Sequence, residues 1–183
     1  MIFGNPLQPI YDAFVVANDC FKVAVRAAKG QETHLLGRTQ FFGATSTEAE
    51  TAVLDASNQA SDLVILALFA TFERWVIEHL QGASGLIAGG YPVDYSASLA
   101  NKFEKAVERW RVEEVLDLFK VEVDQQLIMQ AKQIKKYRDW IAHRNPQKAL
   151  PPKATPEVTF DVLSDLIEQI RTTHAPSPLA ASA

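Results

Sequence analysis

The chain has 183 residues, of which 48% are hydrophobic and 22% charged, and its formal net charge is −4. This size and composition suit one globular domain with a sizeable core, and they exclude a disordered or fibrous class. The single cysteine, Cys20, cannot form an internal disulfide. No charged-then-apolar leader opens the chain, so we expect a reducing, cytoplasmic setting. The longest uninterrupted apolar run, Leu63 to Ala70, is too short to cross a bilayer, so we expect no membrane span.

Proline and glycine are segregated along the chain. No proline falls between Pro9 and Pro92 or between Pro92 and Pro146, and no glycine follows Gly90. Because both residues interrupt helices, this distribution predicts long helices joined by a few loops. The apolar spacing predicts helices over about 9–29, 45–80 and 96–121 with a break near 110–121, then a helix that stops near 144 and a last one over about 157–173.

The second long helix carries its own start signal. The stretch TSTEAE contains two overlapping capping boxes, Thr45 with Glu48 and Thr47 with Glu50. In such a box the hydroxyl accepts a free backbone N–H of the first turn, and the carboxylate accepts the N–H of the capping residue. The middle of this helix is apolar on nearly every side, which is typical of the central helix of a bundle.

The chain shows no alternating strand pattern and no internal repeat, so we predict an all-α fold. We expect a single domain over residues 1–173, built as a bundle of four core helices plus a C-terminal helix, and a disordered tail over 174–183. The predicted core includes Leu66, Phe69, Phe72, Val76, Phe103, Ile134 and Ile141.

The basic residues are concentrated in one segment despite the acidic balance. Residues 132–148 hold six basic groups and one acid, Asp139, a local charge of +5 that leaves −9 on the remainder. Such a patch is compatible with a phosphate-bearing ligand, because local charge governs the encounter. A charge run is also often only the solvated face of a helix. The basic members are Lys132, Lys135, Lys136, Arg138, Arg144 and Lys148.

The histidines and cysteine do not predict a metal site. Metal-binding helical bundles commonly use Glu-x-x-His pairs, but no histidine here has a glutamate three residues before it. The chain also lacks a His-Glu-x-x-His motif and a cysteine cluster, so we expect no metal and no cofactor. His79 ends the long central helix, where we expect a surface or capping residue. Glu73 and Arg74 would form the solvent-facing stripe of that helix or, alternatively, face the site described next.

The segment YRDWIAHRN holds the residues with the clearest chemistry. Arg138 and His143 are five residues apart, about 140° around a helix, so they can flank one groove. Asp139 shares the face of His143 and can hydrogen-bond to it. A guanidinium grips a phosphate and stabilises its transition-state charge, and a histidine transfers protons near neutral pH. RNA supplies its own nucleophile, the 2′-hydroxyl, so such a pair requires no metal; the same pair at a helix end can also have no function.

The motif RDWIAH, residues 138–143, resembles the Arg-φ-x-x-x-His signature of the HEPN superfamily, in which φ is usually Asn, Asp or His. The RNP that follows, the helix TPEVTFDVLSDLIEQI and the upstream LFATFERWVIEHL are also similar to that family. The resemblance covers most of residues 5–173. It implies an HEPN-like helical bundle that forms a homodimer, with two copies of the motif in a shared cleft.

Many HEPN members are metal-independent endoribonucleases of toxin–antitoxin, phage-defence or RNA-processing systems. The resemblance implies that Arg138 and His143 are catalytic and that Asp139 supports them. RNA is then the expected partner, together with an antitoxin or the product of a neighbouring gene. The expected RNA-binding residues are Lys135, Lys136, Arg144 and Asn145.

Other HEPN members are catalytically silent and bind nucleotide or protein, which is the alternative for this chain. The intact Arg138, Asp139 and His143 set favours the nuclease, whereas the acidic balance outside the patch favours the silent module. Tyr137 and Ile141 are expected in the core. Trp140 could lie in the core, in a dimer interface or on a surface that stacks bases.

Overall fold

A computed structural model describes residues 4–143, 147 and 149–174. Within them all regular structure is helical, which confirms the all-α prediction for this part of the chain. The predicted tail lies outside the described residues from 175 onward. No helix in the described part is both long and apolar enough to cross a membrane. The helices are α1 (Gln8–Lys29), α2 (Thr33–Leu36), α3 (Ser46–Gly82), α4 (Ser84–Ala88), α5 (Val93–Val107), α6 (Val112–Leu118), α7 (Gln125–His143) and α8 (Pro156–Thr173).

The start of α3 follows the first predicted capping box. The Thr45 hydroxyl accepts the backbone N–H of Glu48 at 3.3 Å, and the Glu48 carboxylate accepts the N–H of Thr45 at 2.8 Å. The second predicted box, Thr47 with Glu50, is wrong. A helix has one N-cap, and Thr47 already lies inside the first turn. Glu50 instead pairs with Lys29 of α1, with Nζ and Oε1 2.8 Å apart.

The long helix α3 is the centre of the bundle, and α1, α7 and α8 all pack against it. Its second half is buried at Ile65, Leu68, Phe69, Phe72 and Val76. Of the seven predicted core residues, five are buried, and two are only half-buried. The buried ones are Phe69, Phe72, Val76, Ile134 and Ile141, and the half-buried ones are Leu66 and Phe103.

The predicted break near 110–121 is present: α5 ends before residue 108, α6 begins at residue 112, and a second interruption over 119–124 separates α6 from α7. The Glu114 carboxylate accepts the backbone N–H of Arg111 at 3.3 Å, so the start of α6 is capped from its own third residue. Val112, Val115 and Leu116 of α6 are buried. This fixes α6 beside α7 and places Glu113 of its first turn next to Lys135 of α7.

Most of α1, the first half of α3 and the segment between them have few buried residues, and we call this part of the molecule the arm (residues 15–62). Among these residues only Ala28, Leu36, Ala49 and Val53 are buried. The base of α1 is tied to the bundle by Tyr11, whose ring stacks on Phe160 of α8 with centroids 4.3 Å apart. Beyond that base the arm is essentially two antiparallel helices.

Candidate functional site

The helix α7 positions the residues of the predicted motif. Its buried positions Ile134, Tyr137 and Ile141 face the core at helical spacing. The residues between them, Lys135 and Arg138, are therefore turned toward α3 and α6. Their side chains are only 18% and 23% exposed, so neighbouring helices shield both cations from most of the solvent.

Arg138 is held by two carboxylates and one aromatic ring. Its Nη2 donates to Glu73 of α3, and its Nη1 donates to Asp139 at 3.0 Å. The guanidinium carbon also lies 4.8 Å from the centroid of the Phe69 ring, a cation–π contact. Of the two positions open for Glu73, the structure therefore supports the one that faces the site. Arg74 lies outside it and pairs with Glu78 and Glu108.

Asp139 joins the two partly buried cations. Its second oxygen accepts from Lys135 Nζ at 2.7 Å, and Lys135 also pairs with Glu113 of α6 at 2.7 Å. Burial acts to lower the pKa of Lys135, but its hydrogen bonds to Asp139 and Glu113 outweigh burial and hold that pKa above its usual value. Among the described contacts Asp139 has no hydrogen bond to His143; its oxygens accept from Lys135 and Arg138 instead.

An open groove of about 420 Å³ lies in front of Arg138. It carries three cations, of which Lys135 and Arg138 are already paired and Arg111 has no ion pair with any described residue. A phosphate in this groove would meet Arg111 directly, but it would have to compete with protein carboxylates for the other two cations. The lining residues are Glu73, Trp110, Arg111, Val112, Glu113, Lys135 and Arg138.

His143 is the last residue of α7 and is exposed. Its imidazole has no hydrogen bond or ion pair with a residue that the structure describes, and it does not line the groove. It lies about 7.5 Å further along the helix axis than Arg138, by the rise of an α-helix. Lys136 is exposed and likewise unpaired within the described part of the chain. The predicted RNA-binding residues Arg144 and Asn145 lie outside the described residues.

The aromatic residues of the motif pack against the bundle. Tyr137 and Ile141 are buried, as predicted, and the Tyr137 hydroxyl donates to Asp62 at 3.1 Å. Trp140 is half-buried, and its ring stacks on that of Tyr137 with centroids 6.2 Å apart. Together with Ile65 these residues form a small apolar cluster beside the main core. Of the three positions left open for Trp140, the structure supports contact with the core.

A second group of titratable side chains lies at the C-terminal ends of α3 and α8. His79 Nε2 and His174 Nδ1 are 2.8 Å apart, and His174 Nε2 is hydrogen-bonded to Glu122. The His79 ring stacks on Trp75 with centroids 5.4 Å apart. Burial first, then the charges of His174 and Arg171, lower the pKa of His79. His79 thus lies in the last turn, as predicted, but its side chain is half-buried and contacts His174, a residue 95 positions away that no local pattern connects to it.

The groove includes residues that the motif does not reveal. Glu73, Arg111 and Glu113 lie 65, 27 and 25 positions before Arg138 in the sequence, so no local spacing connects them to α7. The only available signal was the interruption of the apolar central helix by Glu73. A scan against protein-family models and searches of curated proteins and solved structures found nothing that matches this chain.

Proposed function

We propose that this chain is a metal-independent endoribonuclease of the HEPN type that cleaves single-stranded RNA, with Arg138 and His143 as catalytic residues. The observation that supports this most is their placement on the last two turns of α7. Arg138 lines an open groove, and His143 is exposed with an imidazole unpaired among the described residues. One side chain would bind a phosphate, and the other would be the proton-transfer group.

In the proposed reaction, the 2′-hydroxyl oxygen of RNA attacks the adjacent phosphorus and the bond from phosphorus to the 5′-oxygen breaks. The proton of the 2′-hydroxyl passes to a base, and the departing 5′-oxygen receives a proton from an acid. The products are a 2′,3′-cyclic phosphate and a 5′-hydroxyl. Arg138 would stabilise the negative charge that accumulates on the phosphorane oxygens.

One imidazole can supply either the base or the acid at a given moment. A two-fold homodimer with a shared cleft would supply both, through His143 and His143 of the partner subunit. It would also place two Arg138 side chains at one RNA backbone. The proposed nuclease is for this reason a homodimer. We propose that it acts in a toxin–antitoxin or phage-defence system, in which a second protein controls its activity.

Before RNA binds, the Arg138 guanidinium is ion-paired with carboxylates of its own chain. Its charge is shared between Glu73 and Asp139, so a phosphate must displace at least one carboxylate to reach the guanidinium. If the phosphate displaces Glu73 and Asp139 stays in place, the guanidinium keeps its hydrogen bond to Asp139 on the same helix. We propose that Lys136 and Arg111, which are unpaired among described residues, attract the RNA backbone first, together with Arg144 and Asn145, and that Lys135 contributes less.

The same ion pairs favour a second candidate function, a silent HEPN bundle that binds nucleotide or protein. Glu73, Glu113 and Asp139 outnumber the two partly buried cations that they contact, Lys135 and Arg138. In a silent bundle, this network would have a structural role alone, which is to hold α7 against α3 and α6. Such a protein would keep its fold and its ligand affinity but would leave RNA intact.

Incubation of the purified chain with single-stranded RNA in excess chelator tests the proposal. We expect cleavage that leaves 2′,3′-cyclic or 3′-phosphate ends, identified by their response to phosphatase and by mass spectrometry. DNA of the same sequence is the matched control and should survive, because it lacks the attacking 2′-hydroxyl. Intact RNA after prolonged incubation, together with measurable binding of RNA or nucleotide, would support the silent bundle instead.

A further inference from the structure

An exposed tryptophan lines the groove in front of Arg138. Trp110 lies between α5 and α6, and it shares the groove with Arg111 and Arg138. It is 36% exposed, whereas Trp75 and Trp140 are half-buried. Tryptophan is highly buried on average in folded proteins, so an exposed indole beside two cations is a candidate group for binding a ligand.

The indole of Trp110 has no ring stacked on it within the described part of the chain. The other two tryptophans each stack face to face on a neighbouring ring, including Trp140, for which base stacking was one of the expected roles. The described ring contact of Trp110 is instead edge to face, with Phe103, at an interplanar angle of 82° and a centroid distance of 5.7 Å. Such a contact covers at most one face of the indole, so a planar group can stack on another.

The position of Trp110 is set by the two helices that it connects. Its backbone N–H donates to the carbonyl of Val107 at the end of α5, at 3.1 Å. Its ring also lines a small gap beside Val112 and Val115, which are buried residues of α6. A ring that is already held by its neighbours loses little conformational freedom when a ligand stacks on it, which favours binding.

The charge of the groove suits one phosphodiester. Its lining side chains include three cations and two carboxylates, a net charge of +1, and each nucleotide of an RNA chain carries one negative charge. A nucleoside triphosphate carries several negative charges, which the two carboxylates would repel. Arg111 directly follows Trp110, and consecutive Cα atoms are about 3.8 Å apart. Because one sugar separates base from phosphate, these two neighbours can contact both parts of one nucleotide.

We propose that Trp110 is a base-stacking platform for the RNA nucleotide whose phosphate binds Arg111 and Arg138. The base lies on a free face of the indole and holds the adjoining phosphate in front of Arg138. Purines bind more tightly than pyrimidines, because their larger rings overlap more of the indole. The inference rests on one part of the proposed function, that this groove receives RNA, and it gives a role to a residue outside the RDWIAH motif.

Fluorescence anisotropy with uncleavable oligonucleotides tests the stacking. The probes are labelled 2′-O-methyl strands of equal length made of adenosine, of uridine or of abasic sugars, so their phosphate charge is the same. We expect affinity to fall in that order. Trp110→Leu should weaken binding of the adenosine strand roughly tenfold and leave binding of the abasic strand unchanged. Trp140→Leu is the matched control and should bind all three like wild type, because the Trp140 ring stacks on Tyr137. Circular dichroism verifies both folds.

Tryptophan emission reports the contact directly. The chain has three tryptophans, so Trp75→Phe combined with Trp140→Phe leaves Trp110 as the single indole. The adenosine strand should quench its emission, and the abasic strand should not. Equal affinity for these two strands, no base-dependent quenching, or wild-type affinity in folded Trp110→Leu would overturn the inference. The proposed nuclease fails separately: base-dependent binding without cleavage of natural RNA would contradict the nuclease and support the stacking site.

Discussion

Arg138 on α7 donates a hydrogen bond to the carboxylate of Glu73 on α3, so the arginine of the candidate motif is paired within its own chain. The contact joins two helices across the open groove, and both side chains are partly exposed, 23% for Arg138 and 33% for Glu73. A partly exposed pair of this kind contributes little to stability, on the order of 1 kcal/mol or less. Its larger effect is on anion binding, because the Glu73 carboxylate competes with any anion that approaches the guanidinium.

Replacing Glu73 with glutamine tests this effect. Glu73→Gln removes a negative charge that competes with phosphate, so we expect tighter binding of single-stranded RNA, by roughly threefold to tenfold. Fluorescence anisotropy with a labelled oligonucleotide measures the change. Glu78→Gln is the control, because Glu78 is exposed and pairs with Arg74 outside the groove. Unchanged or weaker binding by a folded Glu73→Gln protein would show that Arg138 does not receive the RNA phosphate.

Two neighbouring lysines of α7 should differ in their contribution to RNA binding. Lys136 is exposed and unpaired in the described part of the chain, whereas Lys135 is paired with both Glu113 and Asp139. Lys136→Ala should therefore lower the slope of log affinity against log salt by about one, and Lys135→Ala should lower it less. Titrations at several salt concentrations give both slopes. A larger loss for Lys135→Ala would mean that its ion pairs open when RNA binds.

The contact between His79 and His174 predicts a dependence of stability on pH. Burial, His174 and Arg171 lower the pKa of His79 in the folded state, so the unfolded chain takes up this proton at higher pH than the folded one. The stability contributed by neutral His79 is thus fully present above about pH 6.5 and is lost as pH falls below that value toward the folded pKa.

Urea denaturation at pH 7.5 and pH 5.5 measures this loss. His79→Gln should reduce the difference in unfolding free energy between the two pH values, because it removes the group whose pKa is lowered. His34→Gln is the control, since the His34 side chain is 74% exposed and lies far from the cluster in sequence. Equal pH dependence in wild type and His79→Gln would contradict the assignment. Glu122, which contacts His174, should be kept in every variant.

The sequence predicted the helices well because their signals are local. Thr45 and Glu48 form their box within one turn, and the prolines and glycines mark most of the breaks. The box of Thr47 with Glu50 failed for a tertiary reason as well as a local one: Glu50 is within reach of Lys29 on the neighbouring helix. Leu66 and Phe103 are less buried than their hydrophobicity suggested, since burial depends on which neighbour each helix face meets.

The candidate site was predictable only in part. The spacing of Asp139 and His143 indicated a shared helix face, but it could not show that Lys135 and Arg138 would occupy both oxygens of the carboxylate. The pairing of the basic cluster with Glu73 and Glu113 depends on how α3 and α6 pack on α7. Those contacts join residues 22 to 65 positions apart, so local sequence patterns indicate the cations but not their partners.

RNA cleavage by wild type, His143→Ala and His34→Ala in excess chelator, with circular dichroism to verify each fold, shows whether His143 is catalytic. We expect His143→Ala to lose roughly 10²–10⁴-fold in rate, because a proton-transfer group is removed. Arg138→Ala should lose about 10²–10³-fold through lost charge stabilisation. His34→Ala should cleave like wild type. Cleavage by His143→Ala at the wild-type rate, or intact RNA with the wild-type protein, would contradict the proposed function.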